Sequence, residues 1–235
     1  MLVPSQWIEL DTVESTQREA GRLLKTGVRN AIILAHHQSG GTGRFGRPWI
    51  SERGDSLTMS IIMGDYVGHP RPWLLGMATA CACAEVLECR IRWPNDLGLD
   101  GFKLGGILTE LLSDSKGVAV PVVGIGINVA QTEFPEAVRS IATSVLISRG
   151  HAPLPEALAT AILDRLAEMP EPNNWDDIEP VWQAHDSTHG KLYKLPSGAE
   201  ALADHVGPGG ELICTVDGEP KTVLAADALF GVRSA

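Results

Sequence analysis

The chain is short of basic residues and shorter still of cysteine, and each shortage closes off a class of protein. With 19 Lys+Arg against 29 Asp+Glu the formal net charge is -10. No run of Lys and Arg of the kind that neutralises a phosphate backbone occurs along it, which argues against nucleic acid as a partner. The four cysteines, Cys81, Cys83, Cys89 and Cys214, are too few and too irregularly spaced for a disulfide scaffold or for paired C-x-x-C zinc arms. They read as reduced thiols, Cys81 and Cys83 as small buried apolar residues. The opening MLVPSQWIEL lacks a basic region followed by an apolar core, so it is no signal peptide. The most apolar stretch, residues 74–84, is too short to span a bilayer. Tandem repeats and low-complexity tracts are missing as well. A soluble cytoplasmic protein with no membrane partner is the expectation.

What remains is an ordinary globular composition, 44% hydrophobic and 20% charged over 235 residues, enough for one large domain and a small one. Residues 6–10 read as a short strand and 15–26 as an amphipathic helix that the Ser15-Thr16 pair is placed to cap. Residues 31–35 form a buried strand, 56–63 another apolar strand, and 72–88 an alanine-rich helix with proline near its start. Asp100-Gly101 is a two-residue hairpin turn between DLGL and FKLGGILTEL, which puts Lys103 on the strand just past it. The run VAVPVVGIGINV, residues 118–129, suits a strand buried on both faces. Helical periodicity returns over 155–168, and a short helix over 175–185 closes the large domain; the linker-like EMPEPNNW, residues 168–175, lies inside it. From Asp186 the texture changes to β-like segments, GKLYKL, AEALADHV, ELICTV, KTVLAA and ALFGV, separated by PSG, GPGG and DGEP turns. The expected division is 1–185 and 186–235.

The densest signal is GGTGRFGRPW at residues 40–49, four glycines and two arginines between a strand and a tryptophan. Glycine lets backbone N–H groups turn toward an anion, and arginine adds a planar donor fork for carboxylate or phosphate. It is no P-loop, because Gly-Lys-Ser/Thr is missing and a strand, not a helix, follows. GIGINV likewise lacks the third glycine of a dinucleotide fingerprint. In RWPNDL, residues 92–97, Trp93 reads as a core anchor, while Asn95 and Asp96 either orient a ligand, a metal or an amine or merely cap a turn. Lys103 precedes Leu104-Gly105-Gly106, where a ligand can lie against the backbone; the alternative is a solvated edge-strand lysine. Asn128 closes an apolar strand and must satisfy its amide.

The order of these motifs, EST at residues 14–16, then GGTGRFGRPW, RWPNDL, KLGGILTEL and GIGINV, closely resembles that of biotin protein ligases. The resemblance covers almost the whole chain, with DSTHGK at 186–191 similar to the entry of that family's small SH3-like barrel. It implies an α/β (α+β) fold related to class II aminoacyl-tRNA synthetases, a mixed sheet flanked by helices, with a C-terminal SH3-like β-barrel. It implies an enzyme that uses biotin and MgATP to make biotinyl-5′-AMP and then biotinylates one lysine of a biotin carboxyl carrier protein, as in acetyl-CoA carboxylase. By the resemblance, Arg44 and Lys103 act on the phosphate and carboxylate, with Arg47 a further phosphate contact and Asp96 aligning the lysine amine. Ser15, Thr16, Gln17 and Gln38 hold the ureido head of biotin, with Thr42 and Gly43 beside it and Gly105, Gly106, Gly124 and Gly126 as its floor. Trp49 and Phe45 anchor the loop over the adenylate, Asn128 stands near the nucleotide, and Mg2+ is bridged by ATP phosphates.

Two departures from the family pattern stand out. Thr42 occupies a position where arginine is usual, and Gln17 one where asparagine is common. The resemblance starts almost at the first residue, which implies the catalytic-only class without a winged helix-turn-helix, and it suggests a homodimer through edge strands. A loop this rich in glycine is expected to move without ligand. The competing readings are a lipoate or octanoyl ligase or transferase, and a non-catalytic biotin-binding sensor.

Overall fold

The two longest apolar runs become the centre of one sheet because they are buried on both sides. In the computed structural model, which describes residues 3–195 and 197–224 and leaves the side chain of Phe45 undescribed, β3 (Ser56–Met63) is buried at every residue and β7 (Ala119–Asn128) at nearly every one. They pair with each other and with β2 (Asn30–Ala35) and β6 (Phe102–Ser113). With β1 (Trp7–Leu10), β4 (Arg90–Arg92) and β5 (Asp96–Leu99) they make a seven-stranded sheet of order β1-β2-β3-β7-β6-β5-β4. Only the β1–β2 pair is parallel, so the sheet is mixed, as expected. Asp100 and Gly101 both take positive φ, 52° and 85°, the left-handed pair that a tight hairpin between β5 and β6 demands.

One face carries α2 (Trp73–Leu87) and α5 (Pro155–Glu168), which cover Met59, Ile61, Ile107, Ile125 and Ile127. Because α2 lies between the sheet and other helices, it is buried almost all round. Cys81, Cys83, Cys89 and Cys214 are free and buried, and burial pushes the Cys89 thiol up to about 12, so they are inert packing residues. The other face carries α1 (Thr16–Thr26), whose Ala20 and Leu24 pack on Ala31, Ile33, Ile62 and Val122. Ser15 takes the extended N-cap backbone, but its side chain makes no capping bond, against expectation.

Several short elements escaped the sequence reading. β4 has only three residues, α3 (Glu136–Arg139) four and α4 (Val145–Arg149) five, each too brief for a period to register. The helix expected over 175–185 is broken into a 3-10 turn, Trp175–Asp177, and α6 (Glu179–His185), which restarts with Pro180 in its first turn because proline suits that position and not a helix interior. The C-terminal segments form β8 (Leu192–Lys194), β9 (Glu200–Val206), β10 (Leu212–Val216) and β11 (Glu219–Val223). Among the described residues this is an open four-stranded antiparallel sheet of order β11-β10-β9-β8, not the expected closed barrel: β8 and β11 each pair on one side only. The segment ALFGV falls outside the described residues. The core of the four-stranded sheet is continuous with that of the large sheet through Leu195, Ala201, Ala203, Val206 and Leu212. No helix among the described residues is long and apolar enough to cross a membrane.

The contact between α2 and β6 is set by a glycine, since a Cβ on Gly76 would overlap the Thr109 hydroxyl. Gly76→Ala is expected to cost roughly 1–3 kcal/mol in chemical denaturation, the usual penalty for overpacking. Pairing it with Thr109→Ala should recover most of the loss; additive losses would show that the two positions do not meet.

Candidate active site

The register of β3, β7 and β6 puts small residues side by side where helix α1 ends. Thr58 pairs with Gly126 and Gly126 with Gly106; Ser60 pairs with Gly124. This patch of the sheet lacks large side chains just beyond the N-terminus of α1, and a cleft of about 1110 Å³ opens over it, large enough for a nucleotide together with a second small molecule. Ser15, Thr16, Gln17, Gln38, Thr42, Gly43, Arg44, Arg47, Trp49, Asp96, Lys103, Gly106, Gly124, Gly126 and Asn128 all line it. Gly105 does not. It is buried, and a Cβ there would run into the Gly126 carbonyl of the neighbouring strand, so its lack of a side chain serves the sheet and not a ligand.

At the α1 end, the Thr16 amide donates to Gln38 Oε1 at 2.7 Å and the Thr16 hydroxyl to the same oxygen at 3.2 Å, while Ser60 Oγ donates to Thr16 Oγ1 at 2.8 Å. Gln17, 7% exposed, lies over Gly124, with its Cδ 3.1 Å from where a Cβ would stand. Its Nε2 donates to Glu110 Oε2 at 2.9 Å. The Trp49 indole lies over Gly126 in the same manner, 3.1 Å from a Cβ position.

The loop between β2 and β3 folds back on itself. Gly43 N donates to Arg47 O and Trp49 N to Gly41 O, each at 2.8 Å, and Thr42 and Pro48 face each other across this turn. Arg44 is thereby directed inward, where its Nη1 donates to Asn95 Oδ1 at 2.6 Å. Burial lowers the Arg44 pKa and nearby Arg47 adds to the effect, while the charge of Asp96 opposes it; a guanidinium stays charged through such shifts. Asn95 is buried, and its Nδ2 donates to the Ile107 carbonyl of β6. It is therefore a brace between the loop arginine and the sheet, a third role beside the two open from the sequence.

Lys103 is on an interior strand, since β6 has β5 on one side and β7 on the other, which removes the edge-strand alternative. Its Nζ donates to Asp96 Oδ1 at 2.6 Å, and both groups stand over Gly106. The Lys103 backbone is also bonded on its outer side, to Ile141 O and Thr143 N. Asn128 meets the need for an amide partner by donating to Thr143 O at 2.9 Å, which holds the connection after β7 along the rim of the cleft.

Trp93 is the core anchor expected, 3% exposed, with Nε1 donating to Gly210 O at 2.9 Å and its ring edge-on to Tyr193 at 5.8 Å. Arg92 stacks over the Tyr193 ring at 5.0 Å, and burial pushes the Tyr193 phenol up to about 12. Arg90, Arg92, Lys191 and Lys194 join Arg44, Arg47 and Lys103 around the cleft, where Asp96 is the only acidic lining residue among those described. A chain of net charge -10 thus brings seven of its 19 cations to one cleft. No run of residues announces that cluster, because its members come from separate segments. Ser60 and the bracing role of Asn95 were missed; the alternation Ser56, Thr58, Ser60 on an otherwise apolar strand was the available signal. No group of three or more His, Cys, Asp or Glu among the described residues is arranged to hold a metal ion.

This geometry has counterparts. Over 239 residues the chain is 29% identical to a biotin--[acetyl-CoA-carboxylase] ligase of Paracoccus denitrificans, covering 94% of this chain and 99% of that protein. Over 149 residues it is 33% identical to the bifunctional ligase/repressor BirA of Bacillus spizizenii, covering 60% of this chain; the chain spans about half, 46%, of that relative's length. The structure of a biotin protein ligase from Aquifex aeolicus in complex with biotin and ATP superposes with a TM-score of 0.76 at 26% identity, covering 94% of this chain and 96% of that one. The Biotin/lipoate A/B protein ligase family matches residues 9–128, more than half of the 235 and the stretch that holds the glycine floor, Arg44, Asp96 and Lys103, and the chain belongs to that family.

Proposed function

We propose that the protein is an ATP-dependent biotin–[biotin carboxyl carrier protein] ligase. The observation that carries this reading is the convergence of two braced cations, Arg44 on Asn95 and Lys103 on Asp96, over a sheet floor kept bare by Gly106, Gly124 and Gly126. Joining a carboxylate to a phosphate brings two anions together, so fixed positive charge between them is what the chemistry needs. A carboxylate oxygen of biotin attacks the α-phosphorus of ATP, the bond to the β-phosphate oxygen breaks, and pyrophosphate leaves. The lysine amine of the carrier then attacks the acyl carbon, loses a proton, and displaces AMP. Arg44 and Lys103 stabilise the phosphoryl oxygens in both steps, with Arg47 adding a contact at the loop tip. Asp96, beside Lys103, aligns the incoming amine. Ser15, Thr16, Gln17 and Gln38 bind the ureido head, whose burial demands paired donors and acceptors. Trp49 covers the adenylate and keeps water from the mixed anhydride. Asn128 holds the nucleotide side of the rim, and Mg2+ enters with the ATP phosphates as part of the substrate.

The same reading divides the work between residues 1–185, which carry the chemistry, and 186–235, a small β-domain behind RWPNDL. It takes the carrier domain of a biotin-dependent carboxylase as partner and the cytoplasm as the site of action, without nucleic acid or membrane. A homodimer would form through edge strands of the large sheet.

Incubated with biotin, MgATP and a carrier domain, the protein should add one biotin mass to the carrier. Arg44→Ala and Lys103→Ala should each slow that addition by about a hundredfold or more, the loss found when a preorganised charge donor is removed, with melting temperatures near wild type. Undiminished turnover in either variant would strike that residue from the catalytic set. Biotin, and not lipoate, should support exchange of label between pyrophosphate and ATP; the reverse preference would assign the protein to the lipoate branch. Tight biotin binding without any adduct would instead make it a sensor. Restoring the missing cation, Thr42→Arg, should slow release of the adenylate several-fold, by the strength of a charge-assisted hydrogen bond, measured as retention on a desalting column.

A further inference from the structure

Two segments far apart in sequence supply part of the cleft lining and are joined by a residue that lines nothing. The glycine loop contributes Trp49 and Ile50, and the connection after β7 contributes Phe134, Pro135, Val138 and Ile141. Gln131, 4% exposed and outside that lining, is bonded to both segments. Its Nε2 donates to Ile50 O at 3.0 Å, across 81 residues of sequence, and its Oε1 accepts from Ser56 Oγ at 3.0 Å. A carbonyl only accepts, so Ile50 fixes which end of the amide faces the loop. The Gln131 carbonyl accepts from Ser144 Oγ at 2.6 Å, and the same serine oxygen caps α4 by accepting from Ile147 N at 3.1 Å.

Gln131 is itself held in place. Val129 N and Ala130 N, just before it, both donate to Asp55 O, at 2.9 and 2.8 Å, and Leu146 N donates to Val129 O at 2.9 Å. The loop it holds has no such support of its own, because residues 40–46 include four glycines. Ile50 directly follows Trp49, whose indole lies over Gly126, so a bond to the Ile50 carbonyl limits how far that indole can lift from the floor. The other segment ends at Thr143, whose N–H donates to Lys103 O at 2.9 Å.

We infer that Gln131 is a positioning residue that clasps the glycine loop to the connection after β7, and that its bond to Ile50 O sets how long an acyl-adenylate stays enclosed before an amine arrives. The inference rests on the biotin reading and adds to it a determinant of how tightly the two half-reactions are coupled. Without the clasp, Trp49 lifts more readily and the intermediate escapes. In water the escaped anhydride is hydrolysed: a water oxygen bonds to the acyl carbon, the bond from that carbon to the phosphate oxygen breaks, and biotin and AMP result. The emptied protein then consumes another ATP, so pyrophosphate is released without transfer.

The test uses the full chain with biotin, MgATP and a carrier domain, and counts pyrophosphate released per biotin transferred. At low carrier concentration Gln131→Met, close in volume but without donor or acceptor, should raise that ratio several-fold over wild type, the size of a lost neutral hydrogen bond. More carrier should bring the ratio back toward wild type, because transfer competes with escape. Gln131→Asn keeps the amide but is one methylene too short to span Ile50 and Ser56 together; it should raise the ratio as well, and it serves if the methionine variant does not fold. Ser56→Ala removes the buried partner and spares the bond to Ile50, and it should keep the wild-type ratio. A Gln131 with only a structural role would slow pyrophosphate release and transfer alike, and an unchanged ratio in a folded variant would overturn the inference while the biotin reading stood. Excess release from Ser56→Ala equal to that from Gln131→Met would overturn it too, by tracing the loss to the damaged base of β3. Wild-type protein that releases no pyrophosphate from ATP with biotin would overturn the biotin reading and the inference together.

Discussion

Everything in the site follows from a sheet face that is denied its side chains where its covering helix stops. Over Ile33, Ile62 and Val122 that face is dry and packed by Ala20 and Leu24 of α1. Two residues along the strand Ser60 meets Gly124, and two further Thr58 meets Gly126, which meets Gly106. Glycine inside a strand weakens it, and three adjacent glycines on one face are tolerated because the opposite face is filled by Ile107, Ile125 and Ile127 against α2 and α5. The hollow is thus made by the pleat: successive residues point to opposite faces, so the same strands can be core on one side and site on the other.

Around that hollow, the charged groups are held by neutral or opposite partners and not left to solvent. Asn95 accepts from Arg44 and is itself tied to the Ile107 carbonyl; Asp96 faces Lys103 across Gly106. An arginine brought into a part-buried site loses hydration, and burial does lower the Arg44 pKa, with Asp96 working the other way. The arrangement stabilises positive charge in place before any anion arrives, which is the condition for electrostatic stabilisation without reorganisation. The net charge of -10 sharpens the contrast, since seven cations from scattered segments line a cleft that has one acidic lining residue among those described.

How much of this was legible depended on whether the signal was local. The hairpin at Asp100-Gly101, the buried strands and the long helices were readable because period and turn chemistry are short-range properties. So were the glycine loop, RWPNDL and Lys103, whose order along the chain also carried the resemblance. What was not readable depended on pairing. Gly105 and Gly106 are indistinguishable as letters, yet one faces the Gly126 carbonyl and the other the cleft, and only strand register separates them. Ser60 and Glu110 likewise gain their meaning from Thr16 and Gln17, far away in sequence. The open C-terminal sheet was misjudged for the same reason: strand content is local, whereas closure depends on which edges meet.

The C-terminal sheet is more than an appendage to the site, and the chain of contacts shows why. Gly210, in the turn before β10, accepts from the Trp93 indole; Thr188 Oγ1 accepts from the Trp93 amide; Tyr193 on β8 packs edge-on against the Trp93 ring. Trp93 is two residues before Asn95, and Asn95 holds Arg44. A shift of the small sheet by a few tenths of an ångström would therefore be transmitted to the guanidinium through one buried tryptophan and one buried asparagine, with no flexible side chain between them to absorb it. Because the hydrophobic core runs unbroken from Trp93 to Leu212, the two sheets share stability as well as position. The direction of the loop arginine is in this sense a property of both sheets, and loosening either one weakens the hold on the charge.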